Sequence, residues 1–166
     1  MNSSLRPFFE PTGVAIIGAS TKPNKLSYGI LENLVKCGFQ GGIYPVNPKG
    51  GEILGVPVYP HVKDVPDPVD LAMIVLPVEM TLTTLQECAD RGIRNAVIIT
   101  SGFKEVGGAG AALESQVLSF ARDHGLRIIG PNCVGVMHMF NGLNAPFING
   151  LPEQGPIAFI SQSCVL

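Results

Sequence analysis

Tryptophan is absent from this chain, and charged residues make up only 14% of it. The first absence leaves no indole platform for a sugar ring. The second, beside 46% hydrophobic residues, suits a sheet covered on both faces, or a piece that docks on more protein. A strong charge of either sign is also missing: the net charge of −2 makes no case for nucleic acid or a polyanionic surface. No apolar run approaches the ~20 residues of a membrane helix, and residues 1–11 lack a signal-peptide core. Cys37, Cys88, Cys133 and Cys164 are widely spread with no Cys-x-x-Cys pair. A zinc site or a disulfide frame is therefore not expected, and a reducing cytoplasm is the expected compartment.

What is present is a repeating pattern. Val14-Ala15-Ile16-Ile17 runs into Gly18-Ala19-Ser20, which reads as a buried parallel strand entering a phosphate-type turn. A polar loop, 21–26, leads to a helix that opens near 27–29 and carries Ile30, Leu31, Leu34 and Val35 on one stripe. Gly38 followed by Phe39 is a Schellman-type stop, and Gly92-Ile93 and Gly125-Leu126 repeat it. Further strands are expected at 42–46, 71–76, 96–100 and 127–129, with helices over 79–91 and around Leu113, Val117, Phe120 and Ala121. Residues 56–59 read as a short strand or arm, 137–155 as a loop, and 155–160 as another strand meeting a helix start at 161–164. The expected architecture is α/β: a Rossmann-like, doubly wound, mostly parallel sheet with helices on both faces. The expected division is a first domain over 1–150 and the start of a second, cut from a longer protein, over 151–166.

Ligands of such sheets sit at the carboxyl ends of the strands. The loops after Ile17, Val46, Ile99 and Ile129 fall on that edge, and all are rich in Gly, Ser, Asn or Pro. The first loop is not Gly-x-Gly-x-x-Gly, since Ser20 stands where the second glycine belongs. An NAD site wants an acid after the second strand, and here Asn47-Pro48-Lys49 follows. Lys49 faces an acidic ribose substituent instead. Two ligands fit, NADP with its 2′-phosphate and coenzyme A with its 3′-phosphate, and Lys22 and Lys25 add charge near a pyrophosphate.

The series Ile17-Gly18-Ala19-Ser20, Tyr44-Pro45-Val46-Asn47-Pro48-Lys49, Ile74-Val75-Leu76-Pro77, Ile99-Thr100-Ser101-Gly102-Phe103, Ile129-Gly130-Pro131-Asn132-Cys133-Val134-Gly135 and Ile160-Ser161-Gln162-Ser163 covers nearly the whole chain. In order and spacing it resembles the CoA-binding domain of ADP-forming acyl-CoA synthetases, relatives of the succinyl-CoA synthetase α subunit. The resemblance implies a CoA site formed by Gly18, Ala19, Ser20, Thr21, Lys22, Lys25, Asn47, Lys49, Pro77, Thr100, Ser101, Gly102 and Asn132. The Gly130-Pro131-Asn132 turn would lie near the thiol end, with Cys133 beside it, close enough for a mixed disulfide but read as a packed turn residue. The family's reaction passes through an acyl phosphate and a phosphohistidine. That histidine belongs to a later domain, so no catalytic residue is assigned, and the missing downstream domains or ATP-grasp subunit would be partners. His61, His124 and His138 read as structural or surface residues, with His138 the one placed near the site. Cys164 stands where the family usually has glycine. The alternatives are an NADP-binding domain and a CoA-binding regulatory domain, stand-alone or fused to a protein lysine acetyltransferase. Low charge and an unfinished second domain imply exposed apolar surface through which copies could associate.

Overall fold

A computed structural model describes residues 5–148, 150 and 152–161. In chain order the elements are α1 (Arg6–Phe9), β1 (Gly13–Ile17), α2 (Leu26–Lys36), β2 (Gly42–Val46), β3 (Glu52–Ile53), β4 (Val56–Pro57), β5 (Leu71–Ile74), α3 (Thr81–Arg91), β6 (Asn95–Ile98), α4 (Gly108–Asp123), β7 (Arg127–Ile129), β8 (Met137–His138) and β9 (Leu143–Asn144). The main sheet has five strands in the order β2-β1-β5-β6-β7, and every pairing in it is parallel.

The continuous apolar runs follow from burial on both faces. β1, β5 and β6 are buried at every position. Successive side chains of a strand point to opposite faces, and the core divides accordingly. Val14, Ile16, Leu71, Met73 and Val97 pack with Ile30, Leu31 and Leu34 of α2 and with Phe8. Ala15, Ile17, Ala72, Ile74, Ala96 and Ile98 pack with Leu85, Cys88 and Ala89 of α3 and with Val117 and Ala121 of α4.

All three long helices end as the glycine signals require. Gly38, Gly92 and Gly125 have φ of +63°, +92° and +64°. In each case the residue after the glycine reaches back to a helical carbonyl: Phe39 to Leu34 at 3.0 Å, Ile93 to Cys88 at 2.9 Å, Leu126 to Ala121 at 2.8 Å. Those three apolar residues are buried, so each stop also fastens its helix to the core.

Several expectations shift. The strand expected at 71–76 closes at Ile74 and the one at 96–100 at Ile98, because the chain turns there into the loops of the ligand edge. Residues 78–80 form a 3-10 turn before α3. The arm at 56–59 contributes β4 of a small antiparallel hairpin with β3. The stretch 137–155 is not plain loop: β8 and β9 pair antiparallel around a 3-10 turn. Its Leu143 and Ala145 are buried against the α2 face. The stretch 155–160 pairs with no strand among the described residues, and Ile157, Phe159 and Ile160 are exposed. Apolar residues make a strand only where a sheet edge receives them. The expected helix start beyond Ser161, with Cys164, lies outside the described residues. Among the described residues no helix is long and apolar enough to cross a membrane, and no cluster of metal-ligating side chains occurs.

Candidate functional site

In a sheet of this order the connections on either side of β1 and β5 run to opposite faces, which opens a crevice at their carboxyl ends. β1 is followed by Gly18, whose φ is +92° and whose hypothetical Cβ would lie 2.3 Å from the Val75 carbonyl oxygen. Only glycine brings the backbone this close to the end of β5. The Gly18 and Ala19 N–H groups both donate to the Val46 carbonyl at 3.1 Å. Ser20 Oγ accepts from the Lys22 N–H at 3.1 Å, which curls the loop before α2. Thr21, Lys22 and Lys25 are exposed. Lys25 holds the N-cap position of α2 in extended conformation, with no side-chain cap, so its cation sits beside a helix N-terminus that itself favours anions.

The end of β2 is joined to this loop by one side chain. Asn47 Nδ2 donates to the Ala19 carbonyl at 2.8 Å, and Asn47 Oδ1 accepts from the Lys49 N–H at 2.9 Å. The backbone that carries exposed Lys49 is thereby fixed to the backbone of the β1 turn.

A second group forms at the ends of β5, β6 and β7. Thr100 Oγ1 donates to the Leu76 carbonyl at 2.7 Å, and the Asn132 N–H donates to the Thr100 carbonyl at 3.0 Å. Asn132 has φ of +54°. Pro77 is exposed and opens the 3-10 turn, and Ser101 is exposed. Gly102, at φ +106°, lies with its hypothetical Cβ 3.2 Å from a Val78 methyl. Cys133 Sγ donates to the Ile98 carbonyl at 3.3 Å and is half-buried, the packed turn residue expected. All thirteen expected positions therefore fall on the carboxyl edge, in two groups. Gly18, Ala19, Ser20, Thr21, Lys22 and Lys25 lie with Asn47 and Lys49, and Pro77 lies with Thr100, Ser101, Gly102 and Asn132. The contact of Gly18 with Val75, and the Val75 N–H bond to the Ile17 carbonyl at 2.9 Å, join the halves.

The histidines lie elsewhere. His61 is exposed before a 3-10 turn, and His124 stacks on Phe120 with ring centroids 3.9 Å apart. His138 is not near the ligand edge as expected. It lines a cleft with Thr12, Phe39 and Gly41, residues that precede β1 and β2, because the chain after β7 crosses back over the α2 face to the amino ends of the strands. Sequence reasoning missed Glu105. Its Oε1 accepts from the Gly102 N–H at 2.6 Å and its Oε2 from the Phe103 N–H at 3.1 Å. The Gly102 bond above all holds the Glu105 carboxyl below its ordinary value; burial opposes it, and its own and the Phe103 N–H and Lys104 add to the lowering. The available signal was an acid three residues after a glycine in a strand-end loop.

A phosphate-bearing ligand needs exposed backbone and cations at one place, and the β1–β2 half supplies both. The profile of the CoA binding domain family matches residues 12–139. The chain is 48% identical over 160 residues to the ADP-forming acetate–CoA ligase II subunit alpha of Pyrococcus furiosus, across 96% of this chain and 34% of that one. It is 38% identical to the ADP-forming 4-hydroxybutyrate–CoA ligase of Nitrosopumilus maritimus, across 95% of this chain and 23% of that one. Among solved structures, a Pyrococcus horikoshii OT3 protein superposes with a TM-score of 0.90 at 47% identity, over 96% of this chain and 36% of that one. Acetyl-coenzyme A synthetase 1 of Ca. Korarchaeum cryptofilum, in complex with phosphate and ADP, does so at 0.83 and 43% identity, over 89% of this chain and 31% of that one. The chain thus spans about a third or less of the length of these relatives. With a family match that runs from the start of β1 past β7, the last strand of the main sheet, the chain belongs to the CoA binding domain family, in the form its ADP-forming CoA-ligase relatives carry, and its ligand is coenzyme A.

Proposed function

We propose that this chain is the cofactor-holding part of an enzyme that joins a carboxylic acid to CoA while ATP becomes ADP and phosphate. In this reading the chain binds and orients CoA and leaves the acid, the ATP and the phosphate relay to other domains or an ATP-grasp subunit. The Gly18–Lys25 loop and the first turn of α2 take the pyrophosphate, Lys49 takes the 3′-phosphate, and Thr100, Ser101, Gly102 and Asn132 border the path of the arm toward β7. The observation that carries the reading is Lys49, tied through Asn47 to the Gly18–Ala19 turn, where an NAD site would hold an acid.

Calorimetric titration with CoA, 3′-dephospho-CoA and NADPH tests it. One charge-assisted contact of about 1.5–3 kcal/mol corresponds to roughly 10- to 100-fold. CoA is expected to bind tighter than 3′-dephospho-CoA by that factor, and Lys49→Ala is expected to erase the difference. Equal affinities in the unaltered chain would remove the role given to Lys49. Tight NADPH binding that CoA fails to displace would replace the reading with an NADP site.

A further inference from the structure

Three consecutive backbone N–H groups at the end of β6 are all taken by carboxylates of the same chain. Gly102 and Phe103 donate to Glu105 at 2.6 and 3.1 Å, and Lys104 donates to Glu114 Oε2 at 3.1 Å. Successive N–H groups in a turn with left-handed backbone form a concavity that binds anions, and Gly102 has φ of +106°. The ligand edge therefore contains a second place with the geometry of a phosphate seat, and a carboxylate already fills it. The charges on the edge divide in the same way. Lys22, Lys25 and Lys49 lie on the β1–β2 half. On the β6 half the neighbouring cation, Lys104, has its Nζ 3.5 Å from Glu114 Oε1.

We propose that Glu105 is a specificity-determining residue, a resident anion that closes the Gly102–Phe103 seat to phosphate and so sets the direction in which the ligand lies. Coenzyme A carries its phosphates toward its adenosine end and an uncharged pantetheine arm at the other. With one seat open and one filled, its phosphates settle over β1 and β2, and the arm runs over β6 and β7. The reversed pose would place a phosphate against the Glu105 carboxylate. The choice of ligand rests on the CoA reading above; the filled seat rests on the hydrogen bonds alone.

Inorganic pyrophosphate and CoA, titrated separately into isotope-labelled chain and followed at backbone amides by NMR, test the proposal. In the unaltered chain pyrophosphate is expected to move the amides of 18–25 and to leave those of Gly102 and Phe103 in place. In Glu105→Ala a second set of shifts is expected at Gly102 and Phe103, with affinity at that seat raised at least about tenfold. Glu105→Gln, which keeps one acceptor and loses the charge, is expected to fall between. Because Glu105→Gln keeps the shape of the side chain, it reports even if the alanine variant loses its loop. Gly102 and Phe103 amides that stay silent in both variants would overturn the proposal, as would pyrophosphate moving them in the unaltered chain as strongly as it moves 18–25. If CoA moves no amide while the variants capture pyrophosphate, the CoA reading falls and the role of Glu105 stands. If CoA binds and the variants stay silent, the reverse holds.

Discussion

Asn47 uses both ends of its amide on backbone, donating to Ala19 and accepting from Lys49. Aspartate in its place keeps the acceptor, loses the donor, and sets a negative charge against a carbonyl where phosphate belongs. Asn47→Asp is therefore expected to lower CoA affinity by at least about tenfold, with a smaller effect on the thermal midpoint. Calorimetric titration beside a melting curve checks it, and unchanged affinity would break the link between Asn47 and the phosphate seat. Cys88 shows what burial alone does. It is 1% exposed, and burial first, then the charge of Glu87, pushes its thiol up to about 12. Its thiolate is scarce at neutral pH, and thiolate is the reactive form. Alkylation of the folded chain, read by peptide mass mapping, is expected to modify half-exposed Cys37 and Cys133 and to spare Cys88 until denaturant is added. Glu105 gives an acid-side counterpart. Its carboxyl is lowered, so the ordering it lends the Gly102 loop is complete above the ordinary glutamate value of 4.5 and fades as pH falls below it. An NMR titration of the Gly102 amide reads this directly.

At the scale of elements, what the sequence reveals depends on how local the cause is. Strand β2 and strand β7 are found at their sequence-expected bounds, and the helix stops at Gly38, Gly92 and Gly125 are legible because a left-handed glycine and the apolar residue after it act within one turn. Strand β9 is illegible for the opposite reason. It is two residues long, and its place is set by distant partners. Asn33 Nδ2 donates to the Pro146 and Ile148 carbonyls at 2.9 and 3.0 Å. Asn141 Nδ2 donates to the Phe9 carbonyl at 3.0 Å. No window of sequence contains both ends of such bonds. The ligand edge was legible where residue chemistry is unusual, as at Lys49, and illegible where a common surface acid bends back onto its own loop, as at Glu105. The β8–β9 unit covers the α2 face with Leu143, which is fully buried. Leu143→Ala is expected to cost about 2–4 kcal/mol of folding stability, measured by urea unfolding. A loss under about 1 kcal/mol would show that the hairpin contributes no core.

At the scale of the whole molecule, the cations of the ligand edge are exposed and the sheet beneath them is not. Ligand binding and folding therefore respond differently to salt. Raising ionic strength from about 0.1 M to about 1 M shrinks the Debye length from about 10 Å to about 3 Å. CoA affinity is expected to fall several-fold over that range, while the urea midpoint, set by two apolar layers, moves little. Fluorescence or calorimetric titration at the two salt levels, beside urea curves, compares them; affinity indifferent to salt would mean that the lysines do not meet phosphate. The order of the strands carries one more consequence, in time rather than in space. β1 takes β2 on one side, but its other edge, Val14 to Ile17, is covered only by Leu71 to Ile74, and Asp70 Oδ1 secures the junction by accepting from the Thr12 and Gly13 N–H groups. A ribosome that has released the first two strands has released an apolar strand with an open edge, which invites pairing with another chain. That edge of β1 is expected to stay open throughout the synthesis of the segment between β2 and β5, and when Ile74 emerges the open edge passes to β5, whose partner β6 is made later still.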